Sequence, residues 1–498
     1  METEPQSTSE RAPAVIRAPI RTAVVLFLFL NFTYLLTSTG RVHVIDEISA
    51  VMQAESLVTR GSTAIPQAVG SGIYYGKKDL HGQARSPYPP GHPLAIAPWY
   101  WLGQHLVAPL ARAPQGTFDL LMSMVCTWSS ATFAAAAVAF AFLLAFALGA
   151  EVREALIVAA VLGLASPLFV YSGWLFSEPL TAALWMAAAL ALFGIRQDEE
   201  ISWQRALIAG VLLGASLHVR PTNLIAAAIF LAGMLIRGRR RDWRPVLITA
   251  AVVGLAGLAY LARNASLYGN ALDFGYPTLA EGGRELNTFH TPLLVGLTGF
   301  LVSPGKSIFL FFPAVLLAIG GVFKLWRRDR GLAIVCGATP LVYMLFYARY
   351  TQWEGIYCYG PRYLVPPLAL LGVAVTMQFV ERRQWLPEVL GLLLVAGVMV
   401  QLVGLSTNIM EDMVRHQYYY ANWEYRWSYS AITGQMALIA KYLGGAPAPL
   451  GYGFDRWFLF LYKAGAPASG VLTLLAPMLG GFLASGWLLW REWCKFES

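Results

Sequence analysis

Two acids stand side by side, Asp46 and Glu47, in the stretch "RVHVIDEISAVMQAESLVTRG", and a third, Glu178, precedes Pro179 in "SGWLFSEPLTAALW". Three cations follow: Arg220 in "LHVRPTN", Lys306 in "SPGKSIFLFFP" and Arg362 in "GPRYLVPP". A carboxylate can take a proton from an attacking hydroxyl, and guanidinium or ammonium groups can hold a phosphate as it leaves. Gathered at one place, these six side chains would suit transfer of a group from a lipid phosphate. Each also has a plainer reading. The acids fall where helices would begin, and acids there complement the helix dipole and its free amides, so on spacing alone capping is the commoner use. Arg220 could pair with an acid, and Lys306 and Arg362, each at the mouth of an apolar helix, could be interfacial anchors.

The elements that must position these residues are membrane helices. The chain has 498 residues, 57% hydrophobic and 13% charged, with a mean hydropathy of +0.54, far from a soluble balance. The formal charge of +8 does not point to nucleic acid, because the basic residues come in short clusters between apolar runs, as topology signals do. Apolar runs of spanning length lie near residues 20–39, 118–147, 155–172, 178–195, 245–262, 306–324, 331–348, 362–380, 388–405 and 470–490. A longer run, 206–236, is broken by "HVRPTN" and reads as two short helices. That predicts an all-α polytopic protein of about twelve transmembrane helices.

A thirteenth candidate, "HPLAIAPWYWLGQHLVAPLA", holds Pro98, Gln104 and His105 and clusters Trp99, Tyr100 and Trp101, which suits an interfacial helix rather than a span. Charge counting agrees. If that segment does not cross, "RGRRRDWR", "KLWRRDRG", "ERRQWLPE" and the tail "REWCKFES" all fall on the cytoplasmic side with both chain ends. The other side then receives residues 40–117, the turns at Ser177 and Arg220, residues 263–305, the turn 349–361 and the stretch 406–469, and with them all six candidate residues. Residues 1–405, including external loop 40–117, read as one catalytic membrane domain, 406–469 as an aromatic-rich external loop or small lid, and 470–498 as a last helix with its cytoplasmic tail.

In the first loop, a helix starting near Val44 would offer Ile48, Val51, Met52 and Leu57 as an apolar face. His81, His92 and His105 match no metal spacing, and His43 and His290 are equally unspecific. The four cysteines form no disulfide framework. "GSGIYYG" lacks the strand and helix of a nucleotide loop, and "NAS" at Asn264 would matter only in a eukaryote.

Taken in order, the acidic pair, "SEPL", "GASLHVRPTNL", "RNASLYGNALDFGY", "SPGKSIFLFFP" and "WEGIYCYGPRYLVPPLAL" resemble the GT-C superfamily of integral-membrane glycosyltransferases. The similarity is closest to bacterial relatives of protein O-mannosyltransferases and of the lipid A aminoarabinose transferase, and covers roughly the first 380 residues. It implies a GT-C-like fold with interfacial helices in the first external loop, in a bacterial inner membrane, with an extracytoplasmic active site. It also implies a polyprenyl-phosphate-linked sugar as donor and an acceptor whose identity is open. The family's first acid falls on Asp46, the general base, with Glu47 beside it; its later acid falls on Glu178. Arg220 and Arg362 would hold the donor phosphate, with Lys306 as a weaker candidate. In the aminoarabinose enzyme a glutamate before Lys-Pro helps to bind a metal, whereas here "PPGHPLA" offers Gly91, His92 and Pro93. Metal dependence is thereby in doubt, with His92 the one candidate ligand for a divalent metal.

A carboxylate at the dry edge of the membrane should have a raised pKa, which suits a base. One well-placed carboxylate predicts single displacement with inversion. A transporter or flippase of lipid-linked saccharides is the main rival, and would need polar residues deep in its helices beyond Asn31 and Gln401. A membrane scaffold would tolerate Asp46→Asn.

Overall fold

The computed structural model describes residues 12–71, 76–112, 114–195, 199–237, 243–276, 288–380, 385–412, 423–448 and 450–495. Among them, seven helices are long and apolar enough to cross a membrane: Pro19–Thr37, Phe118–Ala147, Arg244–Tyr268, Arg330–Ala348, Arg362–Phe379, Leu386–Ser406 and Ala468–Cys494. Shorter apolar helices occupy Glu178–Phe193, Pro221–Arg237 and Leu293–Val302. The expected class, helical and many times membrane-spanning, is what the chain adopts.

Burial separates centre from rim. In their apolar 18-residue stretches, 89% of residues are buried in Arg362–Phe379 and 61% in Phe118–Ala147, against only 22% in Arg244–Tyr268 and in Ala468–Cys494. The central Phe118–Ala147 helix turns small residues inward, Ala131, Ala134, Ala135 and Ala141 among them. In lipid the hydrophobic effect does not drive helices together, so close backbone approach over small residues does that work. The rim helices face hydrocarbon instead.

Some runs differ from their sequence reading. The run 155–172 is a helix Val152–Leu164 followed by a single turn, Leu168–Tyr171, because Pro167 cannot continue the ladder. The run 306–324 splits in the same way at Pro313, into Ile308–Phe311 and Val315–Arg328. Residues 263–305, read as loop, contain the ten-residue helix Leu293–Val302, too short for a spanning-length window. The break at "HVRPTN" is as expected: one helix ends at Val219, and after a turn at Pro221–Asn223 the next begins at Leu224. Of the basic clusters, residues 238–242, 381–384 and 496–498 lie outside the described residues, as do 72–75 of "GSGIYYG" and 416–422 of the aromatic stretch.

The first helix sets the polarity of the molecule. Near its start, Arg21 pairs with Glu492 at 3.0 Å, and Arg153 Nε donates to the carbonyl of Trp493 at 3.2 Å. The first and last helices thus share one end of the bundle. About fifteen residues later, roughly 22 Å along a helix axis, the chain leaves at Thr37 and enters the segment that carries Asp46.

That segment folds as the helix Ile45–Arg60, packed against Gly91–Leu102. Its buried side is Ser49, Ala50, Val51, Gln53, Ala54 and Ser56; of the expected Ile48, Val51, Met52 and Leu57, Val51 alone is buried. Small and amide side chains let the two helices approach closely. Gly91 marks another tight approach: a Cβ there would lie 2.5 Å from the carbonyl oxygen of His218. The candidate helix from His92 continues through a π-helical stretch, Gly103–Val107, to Ala111 and is not among the long apolar helices. A small hairpin, Lys77–Lys78 with Ala84–Arg85, adds the one element that an all-α reading omits among the described residues.

Candidate active site

Each acid arrives on a helix start. Asp46 and Glu47 lie in the first turn of Ile45–Arg60, and Glu178 is the first residue of Glu178–Phe193, with Pro179 behind it where its missing amide costs nothing. Arg220 stands in extended backbone between two helices, held there because Pro221 disfavours a helical residue before it. Arg362 follows a turn with unusual backbone. Gly355, Ile356 and Gly360 have φ of +77°, +55° and +65°, and a β-branched residue in the left-handed region is strained. Such strain concentrates where a side chain must be aimed.

Four of the six candidates meet. Arg362 Nη2 donates to Asp46 Oδ2 at 2.8 Å while its Nε donates to Glu178 Oε1 at 3.0 Å. Arg220 Nη2 reaches the same Glu178 oxygen at 3.0 Å. Two carboxylates and two guanidinium groups therefore form one chain of ion pairs. The Arg362 guanidinium also lies 3.7 Å from the centre of the Phe176 ring, and that of Arg220 5.6 Å from Tyr363, which stacks on Tyr347. Aromatic faces hold both cations in plane. Side-chain exposure falls from 29% at Asp46 and 23% at Arg220 to 8% at Arg362 and 1% at Glu178, so an incoming ligand meets Asp46 and Arg220 first.

Each arginine uses part of its fork. Among the described residues, Arg220 gives only Nη2 to a carboxylate, and Arg362 only Nε and Nη2. A guanidinium carries five N–H donors, so both keep donors for an anion. Glu178 Oε2, buried, has no hydrogen-bond partner among the described residues.

The expected rise in the pKa of Asp46 is not found. Burial does push it upward, but Arg362, the Tyr88 hydroxyl donating at 2.7 Å, and Arg220 outweigh burial and hold the carboxyl below its usual range. Tyr88, in the proline-rich "SPYPPGHP", had no signal in the sequence. Its register becomes visible only once the loop is folded.

Glu47, Lys306 and His92 stand differently. Both Glu47 oxygens are taken by amides: Oε2 by those of His43 and Val44, and Oε1 by that of Leu175 at 2.9 Å. It ties the start of its own helix to the segment before Glu178. Lys306, fully buried, donates to the carbonyl of Cys358 at 2.9 Å, beneath the turn that carries Arg362 rather than in the ion-pair chain. His92 is 6% exposed with Nε2 unpartnered, and burial, together with Arg220 and Arg362, pulls its pKa down to about 4, so the ring is neutral. Among the described residues no three His, Cys, Asp or Glu side chains are grouped to hold a metal ion, so His92 lacks a partner set for one. Asn31 and Gln401, both within spans, bond to neighbouring elements: Asn31 accepts from Thr132, and Gln401 donates to the carbonyl of Phe311.

No family model matches the chain, and no curated protein aligns with it. Among solved structures it is similar to ArnT from Cupriavidus metallidurans bound to undecaprenyl phosphate, with 15% identity and a TM-score of 0.48, covering 97% of this chain and 78% of that one. The apo state of the same protein gives 15% and 0.47. At that identity and TM-score the likeness assigns no role to any residue.

Proposed function

We propose that this protein is a glycosyltransferase that moves a sugar from a polyprenyl-phosphate donor to an acceptor hydroxyl, at the extracytoplasmic face of a bacterial inner membrane. The observation that carries this reading is the joined set of Asp46, Glu178, Arg220 and Arg362, two acids and two guanidinium groups with donors to spare, at the end of a helical bundle. The motif order that resembles the GT-C superfamily points the same way, and the basic clusters, which charge counting puts on the cytoplasmic side, favour that orientation.

The donor phosphate docks on the free N–H groups of Arg220 and Arg362. Its negative charge competes with Asp46 for Arg362, so that docking draws the guanidinium toward the phosphate and loosens its hold on the carboxylate. Asp46 then becomes a stronger base than in the empty site. The acceptor oxygen attacks the anomeric carbon from the face opposite the phosphate. The bond from that carbon to the phosphate oxygen breaks, the electron pair leaves with the phosphate, and the acceptor proton passes to Asp46. One displacement inverts the anomeric centre. Glu178 keeps the two arginines in register, and Glu47 fixes the helix that bears Asp46. The acceptor, the sugar and the length of the lipid remain properties of contacts beyond these four residues.

The test is reconstitution with polyprenyl-phosphate sugars and an assay for released polyprenyl phosphate. Wild-type protein should release it, and Asp46→Asn and Arg362→Ala should not. Release that survives both substitutions would remove the mechanism.

A further inference from the structure

The loop 406–469 carries no motif, yet one of its residues is buried beside the proposed site. Asp455 is 2% exposed and pairs with Arg41, and its other oxygen lies 3.4 Å from His43 Nε2. The opposite ring nitrogen, His43 Nδ1, is 3.5 Å from Glu47 Oε2, and the imidazole stacks on Trp174 with centroids 4.9 Å apart. His43 and Glu47 side chains are 2% and 0% exposed. A histidine is thus clamped by charge between two buried carboxylates, one from each end of the chain, its Nδ1 making no hydrogen bond among the described residues.

The backbone around Asp455 is fixed as firmly. Its amide donates to the carbonyl of Ser406 at 3.0 Å, and Phe454 bridges to Thr407. Two residues on, the Trp457 amide donates to Ser38 O, and its indole donates to Leu35 O at 2.9 Å. Gly40, at φ +64°, allows this approach: a Cβ there would lie 2.3 Å from that of Trp457.

The two carboxylates at ion-pair distance favour the charged ring. Among the described residues the charged groups that act on His43 are Glu47, in the first turn of the helix that follows it, and Asp455, with Arg41 and Arg456 beside Asp455. Arg41 answers Asp455, while Arg456 gives its guanidinium to the carbonyls of Leu405 and Asp455 rather than to a carboxylate. Among the described residues, His43 is the one cation within ion-pair distance of Glu47. A neutral ring would leave Glu47 with the amides of His43, Val44 and Leu175 but no counter-charge within ion-pair distance among the described residues.

We propose that Asp455 is a positioning residue of the transfer site: it keeps His43 protonated, the histidinium holds Glu47, and Glu47 sets the first turn bearing Asp46 against the Leu175 segment that leads to Glu178. This rests on the transferase reading for its functional consequence but on geometry for the cluster itself. Burial opposes the charge on His43, but Asp455 and Glu47 outweigh it and lift its pKa to about 9. The clamp therefore holds at neutral pH and opens only as the solution becomes alkaline.

The experiment uses full-length protein in nanodiscs with carbon-13-labelled histidine, the His43 signal being the one lost in His43→Gln. In wild-type protein that signal should titrate near pH 9, and in Asp455→Asn about one unit or more lower. Polyprenyl-phosphate release should show an alkaline limb that moves down with it, while release at pH 6 stays within about three-fold of wild type, a difference under 1 kcal/mol. Asp455→Glu should restore the limb. A His43 signal that is already neutral at pH 7 overturns the clamp. So does an Asp455→Asn loss that is equal at every pH, which would mark a merely structural residue. Normal titration with no release from any donor would instead defeat the transferase reading, and with it any positioning role.

Discussion

Arg362 Nη2 stands 2.8 Å from Asp46 Oδ2, so the proposed base and a proposed phosphate ligand are bonded to each other. A carboxylate held this way is a poor base, and an arginine held this way is a half-occupied anion site. Binding of an anionic ligand changes both at once.

Removing the competing carboxylate should therefore improve phosphate binding while abolishing transfer. Asp46→Asn is expected to bind polyprenyl phosphate about ten-fold tighter, a gain of about 1.4 kcal/mol, measured by calorimetry in detergent. Equal or weaker binding would refute the exchange of Arg362 between Asp46 and phosphate.

Arg362→Lys should behave nearly as badly as Arg362→Ala, since one ammonium cannot reach Asp46 and Glu178 in the fork geometry seen here. Loss of transfer by about 10²–10³ is expected for a missing charged donor at the leaving group. Arg362→Ala should also lower stability by about 3 kcal/mol, the low end for breaking a buried pair, because Arg220 still answers Glu178. A thermal unfolding series checks it.

Tyr88→Phe removes one hydrogen bond to the charged Asp46 without changing volume. A cost of about 1.5 kcal/mol, or roughly ten-fold in transfer, fits a bond to an ionised acceptor. Because the Tyr88 hydroxyl helps to lower the Asp46 pKa, the acid limb of the rate profile should move to higher pH. An unmoved limb would mean that the hydroxyl does not govern the base.

His92 supplies a pH test of the fold. Its folded pKa, about 4, lies below the ordinary 6.5, so the unfolded chain binds more protons between those values, and the neutral ring's contribution to stability is complete above pH 6.5. It is lost as pH falls toward 4. His92→Gln should flatten that part of the melting-temperature profile. A wild-type profile level from 6.5 to 4 would contradict the buried neutral ring.

Gly91→Ala tests the seat of the helix that carries His92. A methyl group 2.5 Å from the His218 carbonyl must push two helices apart, at a cost of about 1–3 kcal/mol. Because Arg220 is two residues beyond His218, polyprenyl-phosphate binding should weaken alongside the melting temperature. Unchanged binding in a destabilised variant would show that the seat matters to the fold alone.

Hydropathy and proline placement, read locally, determined much of this molecule: helices that fill a membrane, the break at "HVRPTN", a segment from His92 outside the long apolar helices, and acids at helix starts. These follow from forces acting within a turn or two of chain, which the order of residues states directly. The breaks at Pro167 and Pro313 are equally local but are masked by the long apolar runs around them. Tertiary structure alone decided which acid does what. Asp46 and Glu47 are neighbours of the same charge, and nothing in their spacing says that one would be ion-paired to Arg362 and the other consumed by three amides. The expectation of a raised pKa for Asp46 rested on desolvation, which the sequence suggests. It was reversed by cations hundreds of residues away, and Coulomb attraction depends on distance in space. Asp455 is the clearest case, since a lone acid in a loop without motif becomes the counter-ion of His43 only when the two ends of the chain are packed together.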